Sequence, residues 1–201
     1  MARPREFDED EVIEKAMETF WRQGYDATSV PHLEEATGIS RISIYNAFGD
    51  KEGLFLRALD IYHARAVEIY ENTIARGGLD DVIALFNTMA APTPPSASVN
   101  AGCLMCNTIL DVRRATPKVK KKIQSYRKML KRAFHQALLN AREAGDIDAD
   151  DTTLDQRAEY LVGVLWGTLS MIRVNGKTAA AAPMVAVAGD VVRSWQNKKD
   201  R

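Results

Sequence analysis

The 201-residue chain has two cysteines, 7% aromatic residues, no net charge at neutral pH and no long apolar run. Two thiols in a chain of this length exclude a disulfide-stapled scaffold, and seven prolines with twelve glycines exclude a collagen-like or low-complexity chain. The longest apolar stretches, Tyr160 to Ile172 and Ala179 to Gly189, are shorter than the roughly 20 residues that a bilayer span requires. The first fifteen residues are rich in charge and lack the apolar segment of a secretory signal. The expectation is a cytoplasmic location, both cysteines reduced and no membrane partner.

The missing net charge argues against a nucleic-acid binder only when charge is spread evenly. Here it is not. Residues 1–60 carry a balance of −6, residues 61–112 of −3, residues 113–142 of +11 and residues 143–201 of −2. Zero is a cancellation between unlike segments, in a chain whose 46% apolar content suffices for a core.

Apolar residues recur at the helical period throughout, and no stretch alternates as a strand does. Val12, Ile13, Ala16, Met17, Phe20 and Trp21 form one stripe over Glu9–Gln23, with Gly24 where a left-handed end is expected. Thr28 and Ser29 open a short helix over Val30–Ala36, with Pro31 in its first turn. Gly38 breaks it, Ser40 caps a third helix through Phe48, and Asp50 caps a fourth over 51–70. Further helices are predicted over Leu79–Ala91, Gly102–Arg114, Pro117–Ala144, from Thr152 or Thr153 to Asn175, and over Pro183–Asn197.

Two short helices around Gly38, the second opened by Ser40, have the layout of a helix-turn-helix, though a plain bundle corner shares it. In a helix-turn-helix the first helix braces the phosphate backbone and the second offers its N-terminal residues to base edges. The residues narrow the choice. Gly24-Tyr25-Asp26-Ala27-Thr28-Ser29-Val30, then Ala36-Thr37-Gly38-Ile39-Ser40, then Ser43-Ile44-Tyr45-Asn46-Ala47-Phe48-Gly49-Asp50-Lys51-Glu52-Gly53-Leu54-Phe55 closely resembles the DNA-binding domain of TetR/AcrR-family transcriptional regulators. The resemblance covers about fifty N-terminal residues. It implies an all-α homodimer of about nine helices. Residues 1–50 would be the DNA-binding domain, residues 51–70 a connecting helix, and residues 71–201 a ligand-binding and dimerisation domain whose last two helices pair across the dimer.

Position by position, the resemblance implies that Thr28 and Ser29 donate to phosphate and that Ser40, Arg41, Ile42 and Ser43 form the exposed start of the recognition helix. Tyr45 and Asn46 would follow on it, Tyr45 meeting phosphate or sugar, and Lys51 would take another phosphate. Arg41 is the first candidate for a base contact, since a guanidinium pairs bidentately with guanine, and Ile42 suits a thymine methyl. The chain departs from the family at Ala47, where His or Tyr is more usual, and at Gly53, where a better helix former is common. Arg3 and Arg5 flank Pro4 in a basic arm suited to a narrow minor groove, or are incidental residues of a frayed terminus.

Other features leave alternatives open. The acidic start of the first predicted helix complements its dipole, or weakens non-specific attraction to DNA. The basic run from Arg113 to Arg132 is a solvated face, an auxiliary attraction for phosphate, or a site for an anionic effector or partner. Cys103 and Cys106, three apart, are packing residues, a thiol sensor near a helix start, or a soft-metal pair; no further Cys or His pair stands at ligand spacing, so no metal site is predicted. Phe86, Met89, Met105, Asn107, Tyr126, Phe134 and Trp166 are either plain core or, with the cysteines, the lining of an effector pocket. His32, His63 and His135 are far apart and accompany no catalytic motif, although His32 lies in the bracing helix. The expected function is a repressor that binds a palindromic duplex as a dimer and is released by a small molecule, with no cofactor and no enzymatic activity. The alternative is a helical small-molecule binder without operator recognition.

Overall fold

The computed structural model describes residues 7–94, 98–110 and 116–197. Among them there are nine α-helices and no strand: α1 Glu9–Gln23, α2 Val30–Thr37, α3 Arg41–Phe48, α4 Lys51–Tyr70, α5 Leu79–Ala90, α6 Leu104–Leu110, α7 Pro117–Glu143, α8 Asp151–Asn175 and α9 Ala182–Ser194. Short 3-10 turns at Ile74–Arg76, Ser98–Ala101 and Thr178–Ala181 lie between them. The helices form two compact units that do not follow chain order. The first comprises Met1–Ala64 with Leu104–Ile123, the second Arg65–Cys103 with Gln124–Arg201.

In the first unit, α1 starts where the Asp8 carboxylate accepts the Asp10 N–H at 2.9 Å, and Glu9, Asp10 and Glu11 fill a first turn whose dipole favours them. The stripe of α1 is buried at Val12, Ile13, Ala16, Met17 and Phe20. Phe20 meets Phe55 edge-on at 4.8 Å, and Tyr25 lies 4.7 Å from Phe55, so one aromatic cluster joins α1, the following loop and α4. Leu33 of α2 and Ile44 of α3 are the buried apolar anchors of the two short helices. Such helices are too short to persist alone, and burial of one large side chain each, about 1.5–3 kcal/mol, is what holds them.

In the second unit, Phe134 of α7 stacks on Phe86 of α5 at 6.3 Å and meets Tyr70 edge-on at 6.1 Å. The Asn140 amide donates to the carbonyls of Ala75 and Gly77, satisfying a 3-10 turn from the side of α7. α8 is buried along most of its length, from Leu154 through Leu161, Leu165 and Leu169 to Ile172. No helix of the described residues is long and apolar enough to cross a membrane.

The helix boundaries deviate from expectation most at α8, α6 and α9, and by one residue at the ends of α2, α5 and α7. α8 is capped by Asp150, whose carboxylate accepts the Thr153 N–H at 2.7 Å, so it starts ahead of the predicted Thr152 or Thr153. α6 starts at Leu104, after the left-handed Gly102, which leaves Cys103 just outside the helix that was to present both cysteines on one face. α9 begins a residue early and ends at Ser194; Asn197 beyond it binds the Asp146 and Gly145 carbonyls.

Candidate nucleic-acid interface

The turn between α2 and α3 is built from side chains that satisfy open helix ends. Ser29 accepts the His32 N–H while His32 Nδ1 accepts the Ser29 N–H, closing a capping box with histidine in the place usually held by glutamate. α2 ends at Gly38, whose left-handed conformation (φ 76°) returns its N–H to the Glu34 carbonyl at 2.9 Å. Ser40 then caps α3 by accepting the Ser43 N–H at 3.2 Å, and the two hydroxyls lie 3.1 Å apart. Glu34 reaches across the turn: its Oε1 accepts the Arg41 N–H at 2.5 Å. The bracing helix thereby holds the first N–H of the recognition helix, a tie across seven positions that no helical spacing in the sequence marks.

With its caps made by Ser40, Glu34 and backbone, α3 exposes Arg41, Ile42, Tyr45 and Asn46 on one face. Ile42 is 73% exposed, far more than an isoleucine with a packing role. Tyr45 is 38% exposed, and the Arg41 guanidinium lies over its ring at 5.3 Å. Arg41 therefore presents its fork from a positioned stem. Opposite this face Ile44 is fully buried. Ser43 is half-buried, while Ser29 and Ser40 are exposed.

Two predicted phosphate donors are engaged inside the unit. Thr28 is fully buried and its hydroxyl donates to the Gly24 carbonyl at 2.7 Å. Lys51 donates from Nζ to the carbonyls of Tyr25 at 2.9 Å and Thr28 at 2.8 Å, with its ammonium 4.2 Å from the centre of the Tyr25 ring. Burial lowers the Lys51 pKa, against the opposing charge of Asp26, and burial together with Glu52, Asp50 and Asp26 raises that of Tyr25. The same residues that pattern as DNA contacts thus fasten the loop before α2. Gly53, a departure from the usual family residue, has a structural cause: a Cβ there would overlap the Phe48 carbonyl oxygen where α3 closes onto α4. Arg3 and Arg5 lie outside the described residues.

The residues singled out as a pocket divide between the units. Phe86, Met89, Cys103, Tyr126, Phe134 and Trp166 belong to the second, Met105, Cys106 and Asn107 to the first. Cys103 is fully buried with Sγ 3.9 Å from the Tyr126 hydroxyl, and Cys106 is also buried; neither forms a disulfide. No group of three or more metal-ligating side chains occurs among the described residues. A hollow of about 480 Å³ in the second unit is lined instead by residues 78–81, Gly145, Asp146, Gln196 and Asn197.

Residues 12–58 match the model of bacterial regulatory proteins of the tetR family, and residues 78–187 match that of the tetracyclin repressor-like C-terminal domain. The chain is 31% identical over 197 residues to the HTH-type transcriptional repressor ComR of Escherichia coli K12, covering 96% of this chain and 91% of that protein. It is 30% identical over 186 residues to the repressor AcnR of Corynebacterium diphtheriae, covering 92% of each. Among solved structures, the TetR-family regulator CifR, in a cysteine mutant complexed with a 26-base-pair operator duplex, superposes with a TM-score of 0.79 at 28% identity, over 96% of this chain and 100% of that one. A TetR-family regulator from Cytophaga hutchinsonii shares the fold at a TM-score of 0.81 and 19% identity, over 95% and 96% of the two chains. The helix-turn-helix geometry and these matches along both parts of the sequence agree: the chain belongs to the TetR family of bacterial regulatory proteins and is a DNA-binding transcriptional regulator.

Proposed function

We propose that the protein is a cytoplasmic repressor that binds a palindromic operator as a homodimer and releases it when a small molecule occupies residues 71–201, without enzymatic activity of its own. The observation that carries the reading is the exposed face of Arg41, Ile42, Tyr45 and Asn46 on a helix whose ends are satisfied without them. Arg41 then reads guanine from the major groove, Ile42 packs on a thymine methyl, and Ser29, Ser40 and Tyr45 supply neutral donors to phosphate. Dimerisation is supported by the apolar side chains that α8 and α9 leave exposed, Met171, Val174 and Val187. Two recognition helices so joined fit successive major grooves about 34 Å apart, and an effector acts by favouring a conformation in which that spacing is lost.

The test is titration with a labelled duplex carrying the palindrome upstream of the protein's own gene. Wild-type protein should bind it with steep salt dependence, and Arg41→Ala should lose about 1–3 kcal/mol of discrimination, between about five- and 150-fold in affinity. No binding above that of random DNA would favour the alternative, a ligand-binding protein without operator recognition.

A further inference from the structure

The basic segment of α7 divides in two by its partners. In the second unit Arg127 pairs with Glu159, Lys131 with Asp155 at 2.7 Å, and Arg132 with Glu71. In the first unit Lys122 pairs with Asp60 of α4. Lys118, Lys120 and Lys121 are exposed and pair with no acidic side chain among the described residues.

These three lysines stand at the beginning of α7, whose first turn holds no acidic residue. A helix N-terminus favours negative charge, so cations in the first turns of α7 oppose the local dipole. Their position within the first unit is fixed at both ends. Thr116, which caps α7 by accepting the Val119 N–H, donates its hydroxyl to Glu52 Oε1 at 2.9 Å in the first turn of α4. Further on, Lys122 reaches Asp60, two turns along α4. The start of α7 therefore runs parallel to α4, and the lysines lie alongside its first two turns, which follow directly on the recognition helix. The segment that holds the recognition helix, residues 1–60, carries a balance of −6, and its Lys51 ammonium is engaged by two carbonyls.

The geometry points to Lys118, Lys120 and Lys121 as a second DNA contact, one that takes backbone phosphates of the duplex read by α3 and reads no bases. The inference rests on the operator-binding reading above. A lysine ammonium is a point charge on a flexible stem, suited to phosphate and unsuited to bidentate base recognition. Phosphate contacts of this kind add affinity and register without sequence preference.

The experiment selects duplexes from a library with a randomised centre on the wild-type full chain, then titrates the most enriched sequence at a series of salt concentrations. K118Q/K120Q/K121Q should enrich the same sequence, while its log–log salt slope becomes shallower by about 2–3 per protomer, at about 0.9 for each phosphate that is no longer neutralised. K120Q alone should remove about 0.9 per protomer, which keeps the test intact if the triple variant folds poorly. K128Q, an exposed lysine of α7 in the second unit, should leave the slope as it is. An unchanged slope in K120Q and the triple variant, an equal change in K128Q, or a changed selected sequence overturns the inference while leaving operator binding standing. If the wild-type chain enriches no sequence, the operator-binding reading fails and this one with it.

Discussion

Lys51 holds Tyr25 in two ways, donating to its carbonyl at 2.9 Å and placing its ammonium 4.2 Å from the centre of its ring. A side chain from the first turn of α4 thus closes the loop that carries Tyr25 to the start of α2. Lys51→Met keeps the stem over the ring and removes the charge, leaving the Tyr25 and Thr28 carbonyls without this donor. Because the site is only part-buried, the expected loss is about 1–2 kcal/mol in urea unfolding. Wild-type stability in this variant would show that the ammonium does not serve the fold.

Gly38 and Gly53 should respond differently to the same methyl group. Gly38 has a left-handed φ of 76° with nothing within 4 Å of an added Cβ, so Gly38→Ala costs only backbone strain, about 1–2 kcal/mol. At Gly53 the added Cβ overlaps the Phe48 carbonyl, a backbone atom that cannot step aside, and Gly53→Ala should cost about 3 kcal/mol or more. Equal melting temperatures for the two variants would contradict the close approach of α3 to α4.

Acid should weaken the second unit partly through Asp150. Its hydrogen bonds from Thr153 hold the carboxyl below its ordinary value of 3.8. The folded-state pKa is depressed, so this contribution is complete above 3.8 and fades as pH falls from there through the lower folded-state value. Asp150→Asn preserves an N-cap oxygen and carries no titrating group. Thermal melts over that window should show a smaller decline in the variant than in wild type; parallel declines would remove Asp150 from the account.

Phe134 stacks on Phe86 and meets Tyr70, and it is fully buried. Phe134→Ala should destabilise the second unit by about 3–5 kcal/mol, read from the denaturant midpoint at an unchanged m-value. A loss below 1 kcal/mol would point to space around the ring, as an effector cavity requires, and away from plain core.

Cys103 and Cys106 are both buried, which favours packing over thiol sensing. A colourimetric thiol reagent should titrate neither in the native protein and both after unfolding in urea. Fast native labelling of either one, lost in the corresponding serine variant, would restore a sensing role.

Most of the fold was legible because its signals are local. The Glu9–Gln23 stripe, the Ser40 cap, Gly38 and the Thr116-Pro117 start each rest on residues within one helical turn, and the helices begin where those residues stand. The candidate face of α3 came instead from the resemblance to the family, and on that short helix Ile42 is exposed and Ile44 buried. What escaped was the work done between distant residues. Glu34 to Arg41, Lys51 to Tyr25 and Thr116 to Glu52 are bonds across seven, 26 and 64 positions, and no periodicity encodes them. The Asp150 cap was within reach but hidden among competing acids and threonines.

The recognition helix is held by its caps, by Glu34 and by Ile44, while Arg41, Ile42, Tyr45 and Asn46 face outward. On the proposed reading, sequence preference is therefore separable from folding in this molecule. The four positions form a cassette that can be randomised together without loosening the scaffold.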